Sequence, residues 1–89
     1  MITVNLKYFG IFSELSKKSG ESIKIQNDAT VNHLLKQLIQ KYGPALKNPQ
    51  ETERTYKTAI VVKNDNRVDK STPLSDGDEI ILLFPVGGG

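Results

Sequence analysis

The 89-residue sequence has no cysteine, no tryptophan and a single histidine. Without cysteine there is no disulfide framework, no thiolate metal site and no cysteine nucleophile. One histidine cannot build a zinc site unaided. His33 stands beside Asn32 and Lys36, which favours a solvated side chain over a ligand or a general base. We therefore expect no bound metal and no bound cofactor.

Strong charge and long hydrophobic runs are also missing. The formal net charge is +2, and the basic pair Lys17-Lys18 has no aromatic residues interleaved with it, so the sequence does not predict a nucleic-acid partner. No apolar run approaches the roughly 20 residues of a membrane span. Residues 1–6 alternate apolar with polar side chains, which is unlike a signal peptide. These features predict a soluble cytoplasmic domain with no membrane partner.

The residues that are present form short alternating or β-branched stretches typical of strands. Ile2, Val4 and Leu6 alternate with polar residues, the period of a half-buried strand. The stretch 58–63 is β-branched and reads as a buried strand. The predicted strands are 2–9, 21–26, 58–63, 67–68 and 79–84, with a short helix over 11–18 and a surface loop over 44–57 that has a helical turn near 49–54.

One clear helix is predicted between these strands. Its apolar residues fall at helical spacing on one continuous stripe, with Thr30 as N-cap and Gly43-Pro44 as its end. A single long helix covers only one face of a sheet. The sequence therefore predicts an α+β fold of the β-grasp type, a mixed sheet packed on one long helix, with its other face available for a partner. The stripe consists of Val31, Leu34, Leu35, Leu38, Ile39 and Tyr42.

The chain offers little that could catalyse a reaction alone. No G-x-S-x-G elbow surrounds its serines. The acidic group Asp76, Asp78 and Glu79 is interpreted as a β-turn with solvated charges rather than a metal site. The terminal glycines do not form a P-loop, because no Lys-Ser/Thr pair and no helix follow them. Whether the protein is an enzyme stays open, but we expect no catalysis without a partner.

The C-terminal residues are the strongest functional signal. Three glycines, 87–89, follow the last predicted strand almost directly. Glycine has no Cβ, so such a tail fits a narrow channel. A carboxylate is a poor electrophile until adenylation by ATP provides a leaving group. We predict a β-grasp domain over 1–84 and a flexible tail over 85–89, with the Gly89 carboxylate as the reactive group. The alternative is a frayed end or a linker remnant.

Five pieces of the chain form a recognisable pattern when they are taken in order. They are 7–10, Glu14-Leu15, 29–31 with the leucines of the long helix, 72–80, and 84–89 with the terminal double glycine. In this order they resemble the small-subunit family of molybdopterin synthase, within the ubiquitin-like sulfur carriers, and the resemblance covers nearly the whole chain. One departure lies at the tail root, where Phe84-Pro85 replaces the family's paired prolines and leaves the root less stiff.

This resemblance implies a cycle of activation and transfer. An adenylating enzyme uses ATP to activate Gly89, a sulfurtransferase system converts it to a thiocarboxylate, and the synthase large subunit passes the sulfur to a pterin precursor. By position, the expected partner contacts are Phe9, Leu83, Pro85 and Val86, with Gly87 and Gly88 in the large subunit's channel. Phe84 joins Pro85 and Val86 in a docking root. For Phe9 and Leu83, ordinary core packing is the alternative.

Three other functions share parts of this pattern. A sulfur carrier for thiamine or for tRNA thiolation would use the same chemistry with another acceptor. A ubiquitin-like modifier would join Gly89 to a lysine through an isopeptide bond. A plain binding module would leave the tail inert.

Overall fold

The computed structural model describes residues 1–43 and 49–85. The strands and the long helix lie where the sequence predicts them, with ends that differ by one or two residues. In chain order the elements are β1 (Ile2–Tyr8), α1 (Ile11–Ser16), β2 (Gly20–Ile25), α2 (Val31–Tyr42), α3 (Pro49–Lys57), β3 (Ile60–Lys63), β4 (Asn66–Val68) and β5 (Glu79–Leu83).

The strands form one mixed sheet in the order β2-β1-β5-β3-β4. β1 pairs antiparallel with β2 and parallel with β5. β3 pairs antiparallel with both β5 and β4. This confirms the predicted β-grasp arrangement. The final strand lies in the middle of the sheet, with β1 on one side and β3 on the other, so Phe84 and Pro85 leave the sheet from its central strand.

Helix α2 packs its predicted stripe against one sheet face. Val31, Leu34, Leu35 and Leu38 are buried. The helix begins with a capping box, in which the backbone N–H of Thr30 donates to Nδ1 of His33 at 2.9 Å. The His33 side chain is exposed, as predicted, but it also satisfies a backbone donor that the helix start would otherwise leave unpaired.

The sheet face against α2, called the closed face, carries the core. Its strand side chains are at most 5% exposed, because every second residue turns towards the helices. Together with the helix residues they form one continuous apolar cluster. These strand residues are Val4, Leu6, Tyr8, Ile23, Ile25, Val61, Ile80 and Leu82.

Helix α3 corrects the predicted loop over 44–57. Residues 49–57 form a nine-residue helix rather than a loop with one helical turn, while 44–48 lie outside the described residues. Thr52 and Tyr56 lie one turn apart and are both buried. The Tyr56 ring packs on Phe12, with 5.1 Å between centroids. A single large apolar residue cannot show a helical periodicity, so the local sequence does not predict the whole helix. The burial of Tyr56 depends on its tertiary contact with Phe12.

The acidic group before β5 is a structural turn, and it corrects a second expectation. Asp78 is 6% exposed rather than solvated. Its carboxylate accepts hydrogen bonds from the backbone N–H of Ser75 at 2.7 Å and from the side chain of Asn64 at 2.9 Å. Asp76 accepts from the backbone N–H of Thr3 at 2.7 Å. Because these bonds tie the start of β5 to its neighbours, the carboxylates of Asp76 and Asp78 serve the fold itself.

Among the described residues there is neither a group of side chains suited to a metal nor a helix suited to a membrane. Over residues 1–43 and 49–85, no three His, Asp or Glu side chains cluster in a way that could hold a metal ion. No helix within the same ranges has the length and apolar content needed to cross a bilayer.

Candidate functional site: the open sheet face and the tail root

The sheet face opposite α2, called the open face, carries a small apolar patch. The patch consists of Ile60, Val62, Ile81 and Leu83, all of intermediate burial. Strand register brings them together, because Ile81 pairs with Val62 and Leu83 pairs with Ile60. Within residues 1–43 and 49–85, no helix covers these side chains as α2 covers the closed face. The open face therefore exposes apolar area that the fold itself does not bury.

Charged residues border this patch. The exposed Lys7 pairs with Ile81 across β1 and β5, and the exposed Arg67 pairs with Val62 across β4 and β3. Glu79 lies at the start of β5 and is also exposed. An apolar centre with a polar rim is the usual anatomy of a protein–protein interface.

Phe9 and Leu83, two of the expected partner contacts, lie outside the fully buried core. Phe9 follows β1 directly and is 51% exposed. Leu83 belongs to the patch and is of intermediate burial. A role for either residue in partner binding stays a prediction, but both keep surface with which a partner could make contact.

The tail root, Phe84-Pro85, continues from the centre of the sheet. Pro85 is exposed. Phe84 is 39% exposed, and its ring lies 6.4 Å from that of Phe12, tilted by 57°. The remaining residues of the predicted tail, Val86, Gly87, Gly88 and Gly89, lie outside the described residues. The described part of the site is thus the open face together with the root that leads away from it.

Sequence reasoning named only Leu83 from the patch. Ile60, Val62 and Ile81 were not among the expected contacts, although each alternates with a buried neighbour in its strand. That alternation is a usable signal in β5, where Ile80 and Leu82 are fully buried. The pairing of β3 with β5, which assembles the patch, is not visible in the local sequence.

A hydrogen-bond network centred on the carboxylate of Glu21 lies on the closed face, on the other side of the sheet from the patch. Glu21 accepts hydrogen bonds from the hydroxyl of Tyr8 at 2.6 Å, from Nζ of Lys41 at 2.8 Å and from the hydroxyl of Tyr42. Burial alone would raise the pKa of Glu21, but the bonds from Lys41, Tyr42 and Tyr8 outweigh it and lower that pKa to about 2. Burial, followed by the bond to Glu21, raises the pKa of both tyrosines.

This network links three elements, β1, β2 and α2, through groups that keep fixed charges near neutral pH. Near neutral pH the carboxylate stays ionised, while the two tyrosines and the lysine stay protonated, so no member of the network changes its charge. The network therefore braces the fold and offers no acid–base chemistry.

Comparison with known proteins finds similarity in both sequence and structure. The model of the ThiS family matches residues 6–89. The chain is 34% identical to a molybdopterin synthase sulfur carrier subunit of Mycobacterium tuberculosis, and the match covers 100% of both sequences.

Two solved structures extend this similarity. A structure of subunits 1 and 2 of molybdopterin-converting factor from Helicobacter pylori contains a chain 30% identical to this one, with a TM-score of 0.59, covering 99% of this chain and 100% of that one. Small archaeal modifier protein 1 of Methanosarcina acetivorans is 28% identical, with a TM-score of 0.73 and coverage of 100% and 98%.

Proposed function

Since the chain belongs to the ThiS family, we propose that it is a sulfur carrier for the synthesis of molybdopterin. The observation that carries the proposal is the 34% identity, over the full length of both chains, to the sulfur carrier subunit of Mycobacterium tuberculosis. The central position of β5, with an apolar patch beside its end, gives independent support. The protein carries the sulfur, and its partners supply the catalysis.

The proposed chemistry takes place at the carboxylate of Gly89. An activating enzyme joins this carboxylate to the α-phosphate of ATP, and pyrophosphate leaves. A sulfur nucleophile at the oxidation level of bisulfide then adds to the carbonyl carbon. The bond from carbon to the AMP oxygen breaks, AMP leaves with that electron pair, and a thiocarboxylate remains. ATP is a substrate of the activating enzyme, and this chain holds no cofactor of its own.

The proposed partner surface is the open face. The Helicobacter pylori structure is of a complex between the two subunits of molybdopterin-converting factor. In the proposed complex, the corresponding large subunit binds this chain at the patch of Ile60, Val62, Ile81 and Leu83. It also contacts Phe9 and the docking root, which consists of Phe84, Pro85 and Val86. Gly87 and Gly88 then enter the large subunit's channel, where the absence of side chains lets the reactive carbon reach the acceptor.

The test of the carrier role is the mass of the protein after activation. The protein is incubated with its activating enzyme, ATP and sodium sulfide, and intact mass spectrometry follows. We expect a gain equal to the difference between one sulfur and one oxygen atom, localised to Gly89 by fragmentation. An unchanged mass, with an enzyme that activates another carrier under the same conditions, would contradict the proposal.

A matched variant tests whether the terminus is the reactive group. Gly88→Val adds a β-branched side chain next to the reactive carboxylate and leaves the described core untouched. We expect it to retain the circular dichroism spectrum and melting temperature of the parent but to gain no sulfur.

A transfer experiment identifies the acceptor. The thiocarboxylated parent is mixed with the large subunit and a pterin precursor. Release of sulfur to that precursor, but not to a thiazole precursor or tRNA, identifies the acceptor.

A second candidate function is protein modification, favoured by the 28% identity to a small archaeal modifier protein. The same adenylated Gly89 would then be attacked by a lysine amine, forming an isopeptide bond as AMP leaves. This function predicts higher-mass adducts in cell lysate that disappear when Gly88-Gly89 is deleted. Adducts without any thiocarboxylate would favour the modifier over the carrier.

A further inference from the structure

Phe84 joins the end of β5 to the helices behind the sheet. Its ring packs on Phe12 at a centroid distance of 6.4 Å. Phe12 belongs to α1, is fully buried, and packs in turn on Tyr56 of α3 at 5.1 Å. The last described aromatic residue is thus the outer member of a row of three rings, and its two inner members are held by the core.

The direction of this contact follows from strand alternation. Leu82 points to the closed face and Leu83 to the open face, so Phe84 returns to the closed side, where Phe12 lies. Phe84 is 39% exposed, so the contact with Phe12 leaves part of the residue accessible. The contact fastens the chain after it has left the last backbone pairing of β5, which ends at Leu83 with Ile60.

We infer that Phe84 is a positioning residue, whose ring on Phe12 fixes the direction in which the tail root leaves the sheet. Proline stiffens a chain by locking φ, whereas here packing of a side chain would restrict the same backbone. A root ordered in the free protein does not have to be ordered when an enzyme binds it, which improves binding without a new contact. For its enzymatic consequence, this inference rests on the proposed function.

The first test needs no enzyme. Carbon-13 relaxation at the Cα atoms of residues 84 and 85 is measured in the parent and in Phe84→Ala and Phe84→Tyr. We expect order parameters near those of rigid backbone, about 0.85, in the parent and in Phe84→Tyr, and a fall towards about 0.6 in Phe84→Ala. Unchanged order parameters in Phe84→Ala would overturn the inference. If Phe84→Ala is unfolded at the measuring temperature, Phe84→Leu takes its place under the same criteria.

The second test is the ATP–pyrophosphate exchange catalysed by the activating enzyme. The loss of one aromatic contact corresponds to roughly a 2- to 10-fold rise in KM for Phe84→Ala. We expect an unchanged kcat, because the bound tail is the same in ground and transition states. A purely structural role would lower the melting temperature and leave KM unaltered at temperatures where the variant is folded.

Phe84→Pro separates stiffness from contact. It removes the ring but restricts the backbone, so we expect a KM within about twofold of the parent, a change smaller than the loss of one such contact. A KM as high as that of Phe84→Ala would mean that the enzyme binds the ring itself, which overturns the inference. If the parent supports no exchange at all, the proposed function fails instead, and the relaxation experiment still decides on Phe84.

Discussion

The two faces of β5 differ in burial although they carry the same kinds of residue. Ile80 and Leu82 on the closed face are fully buried, whereas Ile81 and Leu83 on the open face stay half-buried. All four are large aliphatic residues within five positions of one strand. Hydrophobicity therefore does not distinguish their roles. Position relative to α2 does, because the helix covers only one side.

This difference separates what folding uses from what association can use. Apolar area on the closed face leaves water when the chain folds, at about 25 cal/mol per Å². Apolar area on the open face remains in contact with water until a partner covers it. Charged residues border this patch and limit its size, and they are Lys7, Arg67 and Glu79.

The largest expected effect comes from truncating a leucine on the closed face of β5 and comparing it with a leucine on the open face. Leu82→Ala leaves a cavity in the core and should lower the free energy of unfolding by about 2–5 kcal/mol. Leu83→Ala, the matched control one residue away, should cost less than about 1 kcal/mol because its side chain is only partly buried. Urea denaturation followed by circular dichroism measures both. Equal losses in the two variants would mean that the faces do not differ as described.

The next effect concerns the carboxylate at the edge of the closed face. The pKa of Glu21 is lowered from 4.5 to about 2 in the folded protein, so its ionised form stabilises the fold above about pH 4.5. That contribution is lost as the pH falls from about 4.5 towards 2. Glu21→Gln should therefore cost about 1–3 kcal/mol at neutral pH, with a difference from the parent that shrinks on acidification.

Glu53→Gln is the matched control for Glu21. Glu53 forms an exposed ion pair with Lys57 at 2.8 Å, and solvent screens such a pair. Urea titrations of both variants across the acidic range should show a pH-dependent gap for Glu21→Gln and almost none for Glu53→Gln. A gap for Glu21→Gln that does not change with pH would remove the ionised carboxylate as the cause.

The open face should respond in binding rather than in folding. Ile81→Ala and Val62→Ala should each weaken binding to the synthase large subunit by roughly tenfold, as truncation at the centre of an interface commonly does. Isothermal titration calorimetry measures the affinity, and melting temperatures should stay close to that of the parent. Lys36→Ala, on the solvent side of α2, serves as the control. Unchanged affinity in both patch variants would place the partner elsewhere.

The sequence predicts elements better than it predicts contacts between them. Alternation and helical spacing locate the strands and α2, because these patterns are local. The Glu21 network joins residues 13, 20 and 21 positions apart, and no local pattern records it. Helix α3 is predicted only as a helical turn near 49–54 for the same reason, since the burial of Tyr56 depends on its contact with Phe12. At the site, Leu83 follows from resemblance, whereas Ile60 and Val62 depend on the register of β3 against β5.

The smallest expected effect tests how completely the closed face is satisfied. Among the described residues, the buried hydroxyl of Tyr56 has no hydrogen-bond partner. Burial raises the pKa of this hydroxyl, so it stays protonated. Tyr56→Phe keeps the ring on Phe12 and removes the unpaired group. We expect it to leave the free energy of unfolding unchanged or to raise it by up to about 1 kcal/mol.

Tyr42→Phe supplies the matched comparison, because the hydroxyl of Tyr42 donates to Glu21. Its removal should lower the free energy of unfolding by about 1 kcal/mol, since the carboxylate loses a donor. Both variants delete one oxygen atom from the same side of the sheet. If Tyr56→Phe is destabilised as much as Tyr42→Phe, the Tyr56 hydroxyl has a partner in solution, and the closed face is braced through α3 as well as through Glu21.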